Sequence, residues 1–131
     1  MDFKQTYSFD DVLLEPKFSD IDSRWGINIG SDLDSKLKLS LPVISSPMDT
    51  ITEGDMAVAM ATAGGMGIIH RYNNIEDQVS VVTDCLSRNT TMVAAAAIGV
   101  TGDYLERAHA LYDTGATVLC VDVAHGHHSL V

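Results

Sequence analysis

From residue 41 the chain repeats one pattern four times, and this constrains the fold more than any other feature. A short apolar run is followed by a stretch that is apolar on one side only. The runs are LPVIS (41–45), MGIIH (66–70), MVAAAAIGV (92–100) and TVLCVDVA (117–124). Between the second and third, Ile75, Val79, Val82 and Leu86 recur at i, i+4, i+7 and i+11, one face of a helix, with Asn74 as its N-cap. Between the first and second, Met56, Met60 and Ala63 predict a helix capped by Thr52, with Asp55 three residues on as a variant capping box. The third helix is predicted to begin near Thr101 or Asp103, with Tyr104, Ala108 and Leu111 on one face. Gly64 and Gly115 stand where helices stop. No hairpin turn separates consecutive runs, and each connection has room to cross back, so the strands are expected to be parallel. Runs that are apolar throughout belong to strands covered on both faces. The fold class is therefore α/β, ordered β-α-β-α-β-α-β over 41–131, of doubly wound or barrel type. Ser129-Leu130-Val131 is expected to open a fourth helix.

Residues 1–40 read as a short irregular N-terminal cover. Val12-Leu13-Leu14 is a brief apolar piece stopped by Pro16, and in LKLSL the alternation puts Leu37, Leu39 and Leu41 on one strand face. With 131 residues and 46% hydrophobic content, one domain with a packed core is expected. The net charge of −10 opposes binding to nucleic acid or anionic lipid. No apolar run approaches the roughly 18–20 residues that span a bilayer, and Met1 to Gln5 lack the basic-then-apolar pattern of a signal peptide. The expectation is a soluble, cytoplasmic protein without nucleic-acid or membrane partners. Cys85 and Cys120 form no CxxC pair and read as free, buried thiols.

Parallel α/β sheets gather their chemistry at the carboxyl ends of the strands. Here those ends carry Ser45-Ser46-Pro47-Met48-Asp49-Thr50, His70-Arg71-Tyr72, Gly99-Val100-Thr101 and Asp122-Val123-Ala124-His125-Gly126-His127-His128. The hydroxyls and Asp49 suit a ligand, and equally a strand-to-helix turn in which they satisfy backbone groups. Asp122, leaving a buried strand, needs donors; ribose hydroxyls, a salt bridge or a loop cap would each supply them. His125, His127 and His128 lack the spacing of a helical zinc pair, and no metal site is assigned. AGGMG (63–67) has a helix before it and a strand after, the reverse of a nucleotide-binding glycine loop, so Gly64 and Gly65 read as a helix stop and a tight turn.

Five stretches, FDDVLLEPKFS, LPVISSPMDTITE, GGMGIIHR, AAAAIGV and VDVAHGHHS, together resemble the catalytic barrel of the IMP dehydrogenase and GMP reductase family. They follow the family's order and cover nearly the whole chain. The resemblance implies a (β/α)8 TIM barrel that acts on a purine nucleotide with a nicotinamide cofactor. In the dehydrogenase a cysteine attacks C2 of IMP, a hydride passes to NAD, and water releases XMP; in the reductase NADPH converts GMP to IMP with loss of ammonia. By the same resemblance Ser46 and Met48 contact the nucleotide, Asp122 holds the ribose on the nicotinamide side of the cofactor, and Val123 and Ala124 line the cofactor site. His70 falls at a second strand end near the site.

Three departures follow from the same comparison. The regulatory CBS pair that usually separates the second helix from the third strand is absent, since IEDQVSVVTDCLSRNTTMVAAAAIGV runs straight through. The family's catalytic cysteine lies on a later glycine-rich loop, which neither Cys85 nor Cys120 matches. The potassium site and the phosphate loops also belong to later segments. Residues 1–131 are thus expected to be the first four strands of the barrel (1–40 the cover, 41–131 the half-barrel), with no catalytic residue and no metal ligand in this stretch, inactive in isolation. MDTITE favours the dehydrogenase with NAD; PKFSDIDSR and the missing CBS pair lean towards the NADPH-dependent reductase. An inactive half-barrel is the third reading. In the complete family enzyme the expected assembly is a homo-tetramer.

Overall fold

The structure, a computed structural model, describes residues 3–131. Six strands and three α-helices follow in the order β1 (Ser31–Asp32), β2 (Lys38–Leu39), β3 (Ile44–Ser45), α1 (Gly54–Thr62), β4 (Met66–Ile69), α2 (Ile75–Arg88), β5 (Ala95–Ile98), α3 (Tyr104–Thr114) and β6 (Val118–Val121), with short 3-10 turns at Phe9–Asp11 and Arg24–Gly26. β1 and β2 form a small antiparallel pair, and β3-β4-β5-β6 form a four-stranded sheet in sequence order, parallel throughout. The α/β class and the parallel pairing are as the sequence predicts.

The two faces of the sheet differ. On one, Ile69, Ala94, Ala96 and Ile98 pack with Ala57 of α1, Val82 and Cys85 of α2 and Leu111 of α3. On the other, Met66, Ile68, Ala95 and Ala97 cluster with Leu39 of β2, and Leu37, Val118 and Cys120 pack against them. All three helices therefore contribute to one face. Residues 3–36 are all exposed, and Leu37 and Leu39 are what the N-terminal segment seats against the sheet.

α2 matches its prediction closely. The Asn74 side chain accepts from the Asp77 N–H at 2.7 Å, a cap worth about 1 kcal/mol. Val82 is fully buried, and Val79 and Leu86 pack beside it. α1 departs from prediction at both its start and its face. Glu53 is the N-cap and makes no side-chain cap bond, while Thr52 is fully buried with its hydroxyl turned towards the end of β3. Ala57, Val58 and Ala61 face the core in place of Met56, which is exposed. The reason is close approach: a Cβ on Gly67 would lie 2.7 Å from the Cα of Ala57, so β4 and α1 touch backbone to backbone and only small residues fit between them. In α3, Leu111 is buried and Ala108 packs as expected, but Tyr104 is exposed and Arg107 takes the buried position one turn before Leu111. The helix ends at Gly115 with φ 109°, a left-handed conformation that favours glycine. Residues 126–130 turn, with the Leu130 N–H donating to Nδ1 of His128 and Val131 N–H to the His128 carbonyl.

Candidate functional site

The parallel register places the carboxyl ends of β3, β4, β5 and β6 along one rim. β3 leaves the sheet through a tight turn. The Met48 N–H donates to the Ser46 carbonyl at 2.8 Å, and the Ile51 and Thr52 N–H groups both donate to the Met48 carbonyl at 2.9 Å. The buried Thr52 hydroxyl lies 2.6 Å from the Ser46 carbonyl and 2.8 Å from the Ser45 hydroxyl. A hydroxyl has one proton, so Thr52 donates to the carbonyl and accepts from Ser45. Backbone satisfaction by a side chain in this turn thus falls to Thr52, with Ser45 holding its hydroxyl in place. The side chains of Ser46, Met48 and Asp49 are left exposed, available to a ligand.

At the end of β4, His70 is buried with the rest of the strand. The Tyr72 N–H donates to its Nδ1 at 3.1 Å, so the ring proton sits on Nε2, 3.3 Å from Oε1 of Glu53. The His70 ring stacks on Tyr72 with centroids 6.0 Å apart. Its place is therefore under the rim, orienting Glu53 and Tyr72. Arg71 turns the other way and runs past Gly99 to β6. Its Nη2 donates to the Asp122 carbonyl at 3.1 Å, and its Nε lies 3.7 Å from Oδ2 of the same residue.

Asp122 is the first residue beyond β6. Its N–H continues the ladder to the Ile98 carbonyl at 2.9 Å, and its side chain remains 27% exposed. Beyond it, Val123 and Ala124 line a small cleft of about 190 Å³ with Val100, His125, His128 and Val131. His125 and His127 stand edge to face, centroids 6.4 Å apart. The structure thus brings Asp122, Val123 and Ala124 together at one end of the rim and sets Ser46 and Met48 at the other. Three strand spacings, about 14 Å, separate the two groups. A larger cleft of about 440 Å³ opens at the opposite, amino ends of the strands, between the β1–β2 pair, the Gly64-Gly65 turn and Met92. It is remote from every group named for chemistry, so the rim is the better candidate.

Two buried polar side chains support the rim from beneath, and the sequence reading passed over both. Gln78 on α2, fully buried, donates from Nε2 to the carbonyls of Ala97 at 2.9 Å and His70 at 3.0 Å, with Ile69 at 3.4 Å. It ties the ends of β4 and β5 together. Its Oε1 accepts from Nη1 of Arg107 at 2.8 Å, and Nη2 of Arg107 reaches Oδ2 of Asp103 at 2.6 Å and the Asn73 carbonyl at 2.9 Å. The Arg107 hydrogen bond holds the Asp103 carboxyl below its usual range. The available signal was a polar residue on the apolar face of each helix.

Neither thiol reaches the rim. Cys85 is buried on α2, 3.6 Å from the Gly54 carbonyl. Cys120 lies on the face of the sheet away from the helices, two residues below Asp122. Burial pushes both thiols up, reinforced by the charge of Asp84 for Cys85 and of Asp122 for Cys120. Neither is an activated nucleophile.

The sequence that builds this sheet and rim is similar to that of known proteins. The model of the IMP dehydrogenase / GMP reductase domain matches residues 6–131. The chain belongs to this family. Inosine-5'-monophosphate dehydrogenase of Nitrosopumilus maritimus is 45% identical over 93 residues, 71% of this chain and 20% of that protein. The enzymes of the same name from Staphylococcus aureus and Staphylococcus saprophyticus are 47% identical over 79 residues, 60% of this chain and 16% of theirs. The matches therefore span a fifth or less of these relatives. Among the described residues no helix is long and apolar enough to cross a membrane.

Proposed function

We propose that residues 41–131 are the first four strands of a (β/α)8 barrel, with residues 1–40 as its N-terminal cover, in an enzyme that oxidises IMP to XMP with NAD. One observation carries the reading: Ser46 and Met48 at one end of the rim, and a partly exposed carboxylate, Asp122, at the other, about 14 Å away. That separation suits a purine at one end and a nicotinamide riboside at the other. The sheet supports barrel closure, because its strands run in sequence order and its helices pack on one face, whereas a doubly wound sheet carries helices on both. The relatives' name, inosine-5'-monophosphate dehydrogenase, supports the dehydrogenase over the reductase.

In this reading the Ser46 hydroxyl hydrogen-bonds the nucleotide and Met48 packs against it. The cleft beside Asp122 fits the cofactor chemically: a carboxylate accepts from a ribose diol, and Val123 and Ala124 offer an apolar wall to a flat ring. NAD, when bound, supplies the hydride acceptor. The nucleophilic thiol comes from outside residues 1–131, since Cys85 is buried on α2, Cys120 is half-buried on the sheet face two residues below Asp122, and burial pushes both thiols up, and no potassium ligand is assigned here. The setting is cytoplasmic and the complete enzyme a homo-tetramer.

The test is steady-state kinetics of the complete protein, read at the reduced-nicotinamide absorbance band. Asp122→Ala removes one or two charge-assisted hydrogen bonds of about 1.5–3 kcal/mol each, so KM for NAD should rise at least tenfold while KM for IMP stays close to wild type. Equal effects on both would make Asp122 structural. Turnover of GMP with NADPH instead of IMP with NAD would replace the dehydrogenase by the reductase. Residues 1–131 alone should turn over neither pair.

A further inference from the structure

We infer that Arg71 is a positioning residue for Asp122, and that Gly99 is the gap that lets it act. The inference rests on the reading of Asp122 as the ribose acceptor. Arg71 leaves β4, and Asp122 follows β6, two strands away. Between them β5 ends, and the residue after it is Gly99. A Cβ there would stand 3.3 Å from Nη1 and 3.5 Å from Cζ of Arg71. The guanidinium thus crosses the rim close over Gly99, where a side chain would crowd it. The Tyr72 ring flanks it, 5.8 Å from Cζ to the centroid.

The way Arg71 meets Asp122 sets its role. Its hydrogen bond goes to the backbone carbonyl at 3.1 Å, while Nε faces the carboxylate at 3.7 Å, beyond hydrogen-bond range. The loop peptide is therefore clamped, but the carboxylate oxygens are not consumed. A close bidentate salt bridge would occupy them, and an incoming diol would have to displace it. Asp122 needs such a clamp because the sheet ladder ends there: its N–H is held by Ile98, and its carbonyl is the first one of the loop. Holding that carbonyl fixes the direction in which Asp122, Val123 and Ala124 leave β6. Preorganisation of this kind raises affinity without a contact to the ligand.

The experiment is calorimetric titration of the complete protein with NAD, alongside thermal unfolding of each variant. Asp122→Asn should weaken NAD binding. Arg71→Gln should weaken it roughly five- to twentyfold with IMP affinity unchanged, and Arg71→Lys, which keeps a donor for the carbonyl, should recover part of the loss. The Arg71→Gln/Asp122→Asn double variant should lose clearly less NAD affinity than the product of the two single losses, because Arg71 acts chiefly through Asp122 and has only Val123 and Ala124 left to position. Multiplying losses would mean that Arg71 acts independently and would overturn the inference, as would wild-type affinity in Arg71→Gln. If Asp122→Asn itself binds NAD normally, the ribose-acceptor reading fails and this inference with it; if only the Arg71 variants are silent, the inference alone fails. Should Arg71→Gln lose its cooperative melt, Gly99→Val replaces it, since its Cβ alone would already stand 3.3 Å from Nη1 and the two methyls beyond it occupy the guanidinium's path. Weaker NAD binding in that variant supports the inference, and unchanged binding refutes it.

Discussion

Replacing Gln78 by leucine tests whether the rim depends on the polar support beneath it. Leucine has about the same volume, so the buried space stays filled and the chemistry alone changes. Gln78 is fully buried, and its amide donates to the carbonyls of Ala97 and His70 at 2.9 and 3.0 Å while accepting from Arg107 at 2.8 Å. The variant leaves two carbonyls short of a donor, at about 1–3 kcal/mol each when buried. It also removes one charge-assisted bond of Arg107, which keeps Asp103 and the Asn73 carbonyl. With about 1.5–3 kcal/mol for that charge-assisted bond and about 1–2 kcal/mol returned by burying an extra apolar group, a net loss of about 1.5–8 kcal/mol is expected, a large share of the roughly 5–15 kcal/mol of an ordinary domain. Urea unfolding followed by circular dichroism would show this as a lower midpoint at unchanged slope. Hydrogen exchange should also quicken at Ile69, His70 and Ala97. A loss below about 1 kcal/mol would refute the reasoning, because those carbonyls would then have found other partners.

Acid stability should depend on Asp103. Its carboxyl is held low first by the Arg107 hydrogen bond, so its contribution is fully present above the unfolded carboxylate value of about 4 and is lost as pH falls through the lowered folded value. Asp103→Asn should flatten the acid limb of a midpoint-against-pH curve, on which Asp11 and Asp34, lowered by backbone N–H groups of Ser8 and of Lys36 and Leu37, act with the same sign; an unchanged limb would show that the ion pair persists unfolded or contributes nothing. The two thiols should alkylate much more slowly in the folded protein than in urea at neutral pH, since burial disfavours both thiolates. Modification of Cys120 at the rate of a free thiol would place it at an open, activated position and reopen its candidacy as nucleophile.

What could be read from the sequence was local, and what could not was set by meetings between distant segments. α2 was legible because its apolar spacing and its Asn74 cap lie within fifteen residues of one another and obey one period. The parallel pairing of the strands followed from crossovers long enough for helices. The face of α1 was misjudged because it is set by Gly67, ten residues beyond Ala57, whose missing side chain draws the helix so near that alanines displace the larger methionines. Thr52 has good capping chemistry, but its hydroxyl is used seven residues back at Ser45, where β3 leaves the sheet. The rim itself was legible as a set of strand ends, because parallel sheets expose those residues whatever the ligand. Its wiring was not. Arg71 and Asp122 are 51 residues apart, and their meeting depends on two intervening register choices and a glycine that resembles any strand-end turn. Gln78 and Arg107 occupy the same middle ground. Each breaks the apolar face of its helix, and a buried polar side chain must find partners; with three carbonyls within reach of one amide, Gln78 marks where the ends of β4 and β5 are bound together, between the two groups of residues proposed to hold the ligand.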